Sequence, residues 1–188
     1  RDSGSGYNGN MSGSITIDEN AKVNAFSQED GAGIGSGEDG NMSGSITISG
    51  NAQVTAGSGW DGAGIGAGES DDDPPKSEMS GTITIGGNAN VTAWSEEDGT
   101  GIGSGDDGDV SGTIIIGGSA QVTAGSDDDG AGIGAGTYGS ITSTGRIILR
   151  DSAKVTAIGE DEGAGIGAGD DGHMAGLIII QDLSLIHI

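Results

Sequence analysis

The stretch "GAGIGSG", residues 31–37, decides how this chain is read. A Gly-rich string of this kind can cradle a phosphate, but a domain needs such a loop once. Here it returns as GAGIGAG at 62–68, GTGIGSG at 99–105, GAGIGAG at 130–136 and GAGIGAG at 163–169. A part repeated at this spacing is architecture. Working outward, an Ile-rich run precedes each copy: SGSITI at 12–17 and 43–48, SGTITI at 80–85, SGTIII at 111–116 and TGRIIL at 144–149, with AGLIII following at 175–180. Between run and string lies a third element, NAKVNA at 20–25, NAQVTA at 51–56, NANVTA at 88–93, SAQVTA at 119–124 and SAKVTA at 152–157. The Ile-rich runs start 31, 37, 31, 33 and 31 residues apart. The length variation falls in the loop after the Gly string, longest as ESDDDPPKSEM at 69–79.

Each unit holds three short segments of period-two alternation, which predict strands. In the first unit Ile15 and Ile17 share one face, Ala21, Val23 and Ala25 a second, and Ala32 and Ile34 a third. Stacking such coils pairs strand on identical strand and buries columns of like side chains, so a stack is stable where one coil is not. The pattern predicts an all-β fold, a single-stranded right-handed parallel β-helix (β-solenoid) with three short strands per coil. About six coils of roughly 31 residues are expected. The hand follows from the usual crossover preference. Ile17, Ile48, Ile85, Ile116, Leu149 and Ile180 are expected in one interior column. Gly31, Gly33 and Gly35 are expected outward or at corners, where glycine allows unusual φ. Asn20, Asn51, Asn88, Ser119 and Ser152 share one corner, where stacked amides can hydrogen-bond from coil to coil.

That corner column resembles the asparagine ladder of pectate-lyase-like β-helices. The ITI…VTA…GAGIG unit as a whole resembles Gly-rich parallel β-helix repeat regions of large secreted or surface proteins of anaerobic bacteria. The resemblance implies an extracellular or cell-surface bacterial setting and, for proteins often labelled carbohydrate-binding, a polysaccharide as ligand. It specifies no catalytic residue.

Composition narrows the function classes. Acidic residues number 29 against 6 basic, a net charge of −23. Phosphate backbones need clustered Lys and Arg, so nucleic acid is not an expected partner. The chain has no Cys and no apolar run of membrane-spanning length, so membrane insertion is not expected. Residues 1–182 are read as one β-solenoid repeat domain, a fragment of a longer array, because the chain starts inside a repeat. The last six residues, LSLIHI, leave the pattern. Their back-translation, CTGTCTCTTATACACATC, looks like a sequencing-library adapter, so 183–188 is read as a non-native tail.

Surface chemistry concentrates at the Gly string. Just before it stand Asp30, Asp61, Asp98, Asp129 and Glu162, an acid ladder with Ca²⁺ as its candidate ion. A second acidic patch follows the string, with Glu38, Asp39, Glu69, Asp106, Asp107, Asp170 and Asp171. Solvated charge that serves solubility alone is the competing reading. Phe26 and Trp94 alternate with Gly57 and Gly125 in one outward column, so each ring can cover the bare glycine of the next coil. With Trp60 they are the candidate carbohydrate-binding residues, against a packing role alone. Ile115, Ile148, Ile179 and Leu177 are expected as an outward apolar stripe, a candidate surface for a C-terminal element or another solenoid. No enzyme is expected: the acids lie in turns, Arg146, Arg150 and Lys154 share one coil, and His173 has no partner identifiable in sequence. The expected role is an extracellular structural, adhesin-like repeat segment, with a calcium-dependent polysaccharide-binding module as the alternative.

Overall fold

Ile and Thr alternate in the Ile-rich runs because the backbone there is extended and one face is buried. The computed structural model describes residues 3–4, 7–70, 76–181 and 185–187. The runs form a parallel sheet of Ser14–Ile17, Ser45–Ile48, Thr82–Ile85, Thr113–Ile116, Arg146–Leu149 and Leu177–Ile180. Its register stacks Ile17, Ile48, Ile85, Ile116, Leu149 and Ile180 in one column, as the repeat predicts. The side chains from Ile46 to Leu149 on this inner face are closed to solvent, each burial contributing about 1.5–3 kcal/mol.

A second parallel sheet, Lys22–Ser27 to Lys154–Gly159, carries Val and Ala inward and Lys, Asn, Gln and Thr outward. The third is built from two- and three-residue strands at the Gly strings, such as Ile34–Gly35 and Ile133–Ala135. Together these make an all-β parallel solenoid of about five turns, with no helix among the described residues. Leu185–His187 pairs with Lys154–Thr156 at the end of the second sheet. An open parallel edge offers its N–H and C=O groups to whatever segment follows, so this pairing is independent of where the segment comes from.

The coil also has a narrow fourth side that alternation does not predict. Met11, Met42, Met79, Val110, Ile141 and Met174 form a column of single bridges and one two-stranded pair. Met42, Met79, Val110 and Ile141 have no solvent exposure. This column shortens the long insertion. Glu69, Ser70, Ser77, Glu78 and Met79 stand where Glu38 to Met42 stand one coil earlier, so the extra chain is 71–76. Residues 71–75 of it lie outside the described residues.

Glycines of the Gly string are not outward, contrary to expectation. Gly31 to Gly37 are all buried. Gly33 packs on the end of the second sheet, where a Cβ would fall 2.6 Å from the carbonyl oxygen of Gly57. Gly35, Gly66, Gly103, Gly134 and Gly167 share φ of 142–153°. The first four of these press on the next coil's glycine backbone. The string is glycine because the backbone of one coil lies directly on that of the next.

Candidate functional site

The turn before each Gly string is held by a serine at the end of the second-sheet strand. Ser58 Oγ donates to the carbonyl of Glu29 at 2.8 Å, Ser95 Oγ to Trp60 at 2.8 Å, and Ser126 Oγ to Glu97 at 2.7 Å. These hydroxyls are buried and tie each strand to the acidic turn of the previous coil. The acids then ladder through the backbone. Asp98 N–H donates to Asp61 Oδ1 at 3.0 Å, and Glu162 N–H to Asp129 Oδ1 at 3.2 Å.

The two acidic patches that are separate in sequence meet in space. Glu69 N–H donates to the Asp30 carbonyl at 2.9 Å, Asp106 to Asp61 at 2.8 Å, and Asp170 to Asp129 at 3.0 Å. The residue after one Gly string therefore sits beside the acid before the previous one. Two carboxylate groups result, each with oxygens within 4.8 Å of one another: Asp30 with Asp61 and Glu69, and Asp98 with Asp128 and Asp129. Glu162 is exposed and joins neither. Glu69 and Asp128 are thus the members that the acid-ladder spacing did not single out. At the fourth coil Thr137 replaces the second acid, and its hydroxyl donates to Asp98 Oδ1 at 3.0 Å.

Burial and then crowding raise the proton affinity of Asp61, Glu69 and Asp106. Burial, with the charges of Asp98, Glu97 and Asp30, pushes Asp61 up to about 6. Burial and then the Asp30 carboxylate push Glu69 up to about 9. Burial, with the charges of Asp107, Asp98 and Asp61, pushes Asp106 up to about 7. Asp30 Oδ1 is shielded from solvent and accepts no hydrogen bond among the described residues. A proton on Glu69 or a hard cation between the three carboxylates satisfies that oxygen. The donor set, all carboxylate oxygen in turns, fits Ca²⁺.

Each of these pKa values is raised above its unfolded value, so the folded chain holds protons that the unfolded chain has released between about pH 4 and pH 9. Stability is therefore expected to rise as pH falls from 8 to 5. The gain is about 1 kcal/mol once solvent screening of these half-exposed groups is allowed for. Urea midpoints at the two pH values measure it, and Glu69→Gln is expected to flatten the trend. A midpoint that falls on acidification over this range contradicts the assignment.

The aromatics sit where their column places them. The Phe26 ring covers Gly57, where a Cβ would meet its Cδ1 and Cε1 at 3.0 Å. The Trp94 ring lies so close on Gly125 that a Cβ there would fall 2.6 Å from its Cε3. Trp60 is 50% exposed and stands in the acid turn, at the position that Glu29, Glu97 and Asp128 hold in other coils. The second-sheet face beside Trp94 carries no acid. A shallow groove of about 250 Å³ there is lined by Asn90, Gln121, Thr123, Lys154 and Thr156. On the first sheet Ile115, Ile148 and Ile179 stack in one outward, half-buried column, and Leu177 beside them is 47% exposed. Asn88 Nδ2 donates to Asn51 Oδ1, and Asn51 Nδ2 to Asn20 Oδ1, at 3.2 Å each, so the amide ladder exists over three coils.

Three stretches, 15–38, 46–69 and 151–170, match a family model described as a beta helix repeat. The first two each span one Ile-rich run, one second-sheet strand and one Gly string. No curated protein and no solved structure matches the chain. The chain carries a β-helix repeat region, by sequence and by structure alike.

Proposed function

We propose that these β-helix repeats form a structural, non-catalytic segment of an extracellular or cell-surface bacterial protein, a rigid adhesin-like rod that displays its corner loops. The observation that carries this reading is the unbroken register of three sheets over six strands each, which makes a stiff scaffold from short repeats. The clustered acids lie in the turns beside the Gly strings and the outward face of the second sheet carries none, which supports a role without catalysis. The net charge of −23 supports a rod that stays soluble and avoids nucleic acid. Single-molecule force extension tests the first part, since a stiff stack resists extension until whole coils unravel and does so unchanged in the presence of candidate ligands. Smooth extension at low force contradicts it.

A second reading, a calcium-dependent polysaccharide-binding module, is favoured by one observation. The Trp94 ring covers Gly125, on the same sheet face as the amides and hydroxyls of Asn90, Gln121, Thr123 and Thr156. An aromatic plateau beside hydrogen-bonding groups suits the mixed apolar and polar faces of a sugar. On this reading Ca²⁺ joins Asp30, Asp61 and Glu69, and millimolar Ca²⁺ at pH 7.5 raises the melting temperature by mass action. Glycan-array binding that disappears with Trp94→Ala and with EDTA supports the module. An unchanged melting curve on adding EDTA, with no glycan bound, returns the molecule to a plain rod. The apolar stripe is the surface on which another solenoid or a C-terminal element packs. Weaker association of the intact protein on replacing the three stripe isoleucines by Thr is its expected signature.

A further inference from the structure

The corner after four of the five Gly strings holds a residue in the left-handed backbone region, and Asn8 stands at the equivalent place one coil before the first. Asn8, Asp39, Asp107, Tyr138 and Asp171 have φ of 53, 54, 51, 52 and 50°. They stack through the backbone, with Asp107 N–H donating to the Thr137 carbonyl at 2.9 Å and Tyr138 N–H to the Asp170 carbonyl at 2.8 Å. Asn and Asp tolerate this conformation, whereas a bulky ring is an outlier there. Tyr138 is 52% exposed, so the backbone ladder of the corner, and not packing of its ring, holds it in this conformation. Residues held in strained conformations by their surroundings cluster at functional sites.

A cleft of about 550 Å³ runs over this corner, lined by Lys76, Asp107, Tyr138, Ser140, Asp171 and His173. At one end the Lys76 ammonium is already seated, 2.7 Å from Asp107 Oδ1 and 3.1 Å from the Tyr138 carbonyl oxygen. The corner thus binds a cation with the carboxylate of one coil and the carbonyl of the next. One coil further along, the Tyr138 side chain and Asp171 occupy the equivalent places. The surroundings are negative: Asp171 foremost, with Asp170, Asp106 and Asp98, holds the Tyr138 phenol above its ordinary range.

We propose that this cleft binds a second cation, the guanidinium of an arginine in a basic peptide segment of a partner protein. The guanidinium stacks on the Tyr138 ring and pairs with Asp171. An aromatic face attracts a cation through its quadrupole, and a planar guanidinium stacks on it where an ammonium cannot. Lys76 limits the cleft at one end and leaves Tyr138 as its floor. None of the residues that line this cleft belongs to the two carboxylate groups or to the second-sheet face.

The test titrates the full chain with the peptide acetyl-Gly-Arg-Gly-amide by NMR, beside the same peptide with neutral citrulline in place of arginine. Tyr138→Asn keeps the net charge and installs the residue that stands at Asn8, so the fold tolerates it. It is expected to weaken arginine-peptide binding fivefold or more and to leave the melting temperature unchanged or higher. Asp171→Asn is expected to weaken binding similarly, and Asp127→Asn, which removes an exposed charge elsewhere, is expected to have no such effect. Equal affinity of Tyr138→Asn and the unmodified chain overturns the proposal, because binding then reflects net charge alone. Equal binding of the citrulline peptide overturns it as well.

Discussion

Gly103→Ala is expected to cost about 4 kcal/mol or more, enough to leave the chain largely unfolded at ambient temperature, because it forces a Cβ into a position of backbone contact. Gly103 has φ of 147°, where an L side chain is strained before any neighbour is considered. Its Cβ would also lie 2.8 Å from the carbonyl carbon of Gly134, with the oxygen closer still. The obstacle is backbone, which cannot rotate away as a side chain does. Moving Gly134 transmits the shift to Gly167 and Gly66 through the same column. Gly86→Ala is the matched comparison: nothing lies within 4 Å of its Cβ position. There the substitution is expected to be neutral or stabilising by about 0.5 kcal/mol, through the unfolded chain. Urea denaturation of the two variants measures the contrast, and similar midpoints contradict the close stacking of coils.

Ile114→Ala is expected to cost about 3 kcal/mol, with Ile115→Ala under about 1 kcal/mol. The two residues are adjacent in one strand and identical in chemistry. Ile114 has no solvent exposure and stacks between Ile83 and Ile147, whereas Ile115 points outward and is half-buried. Ile114 lies in a middle coil, so the cavity weakens the interfaces to both neighbouring coils. Equal losses at the two positions place both side chains on one face and contradict the register.

Much of this fold is legible because stacking converts repetition into contact. Once GAGIG recurs at the spacing of SITI and VTA, identical residues must lie above one another, and the Ile17 and Val23 columns follow. The Met11 to Met174 column is not legible, because each member is a single apolar residue between small or polar neighbours, too short for alternation. Gly33 misleads for a related reason. Its neighbours Ala32 and Ile34 are buried, and Gly33 packs against Gly57 of the second sheet instead of facing out.

The candidate site is legible in composition and not in geometry. Asp30 and Asp61 are equivalent in the repeat, so their proximity is expected. Glu69 comes from the far side of the next coil's Gly string, and only the hydrogen bond from its N–H to the Asp30 carbonyl reveals that they meet. Tyr138 stands where other coils carry Asn, Asp or Ser. Its strain belongs to a backbone angle that no pattern of side chains displays.

Residues separated by whole repeats lie in one straight column, one coil apart at each step. The chain contains no Cys, so spin labels attach only at introduced ones. Labels at Thr16 and Ile148 are 132 positions apart in sequence yet four coils apart in the outward column of the first sheet. Pulsed electron paramagnetic resonance is expected to give one narrow distribution near 19 Å between the backbones, at about 4.8 Å per coil. Labels at Thr16 and Ile179 are expected to add one coil step to that distance. A broad distribution, or a separation that does not grow by one coil step between the two pairs, contradicts the solenoid.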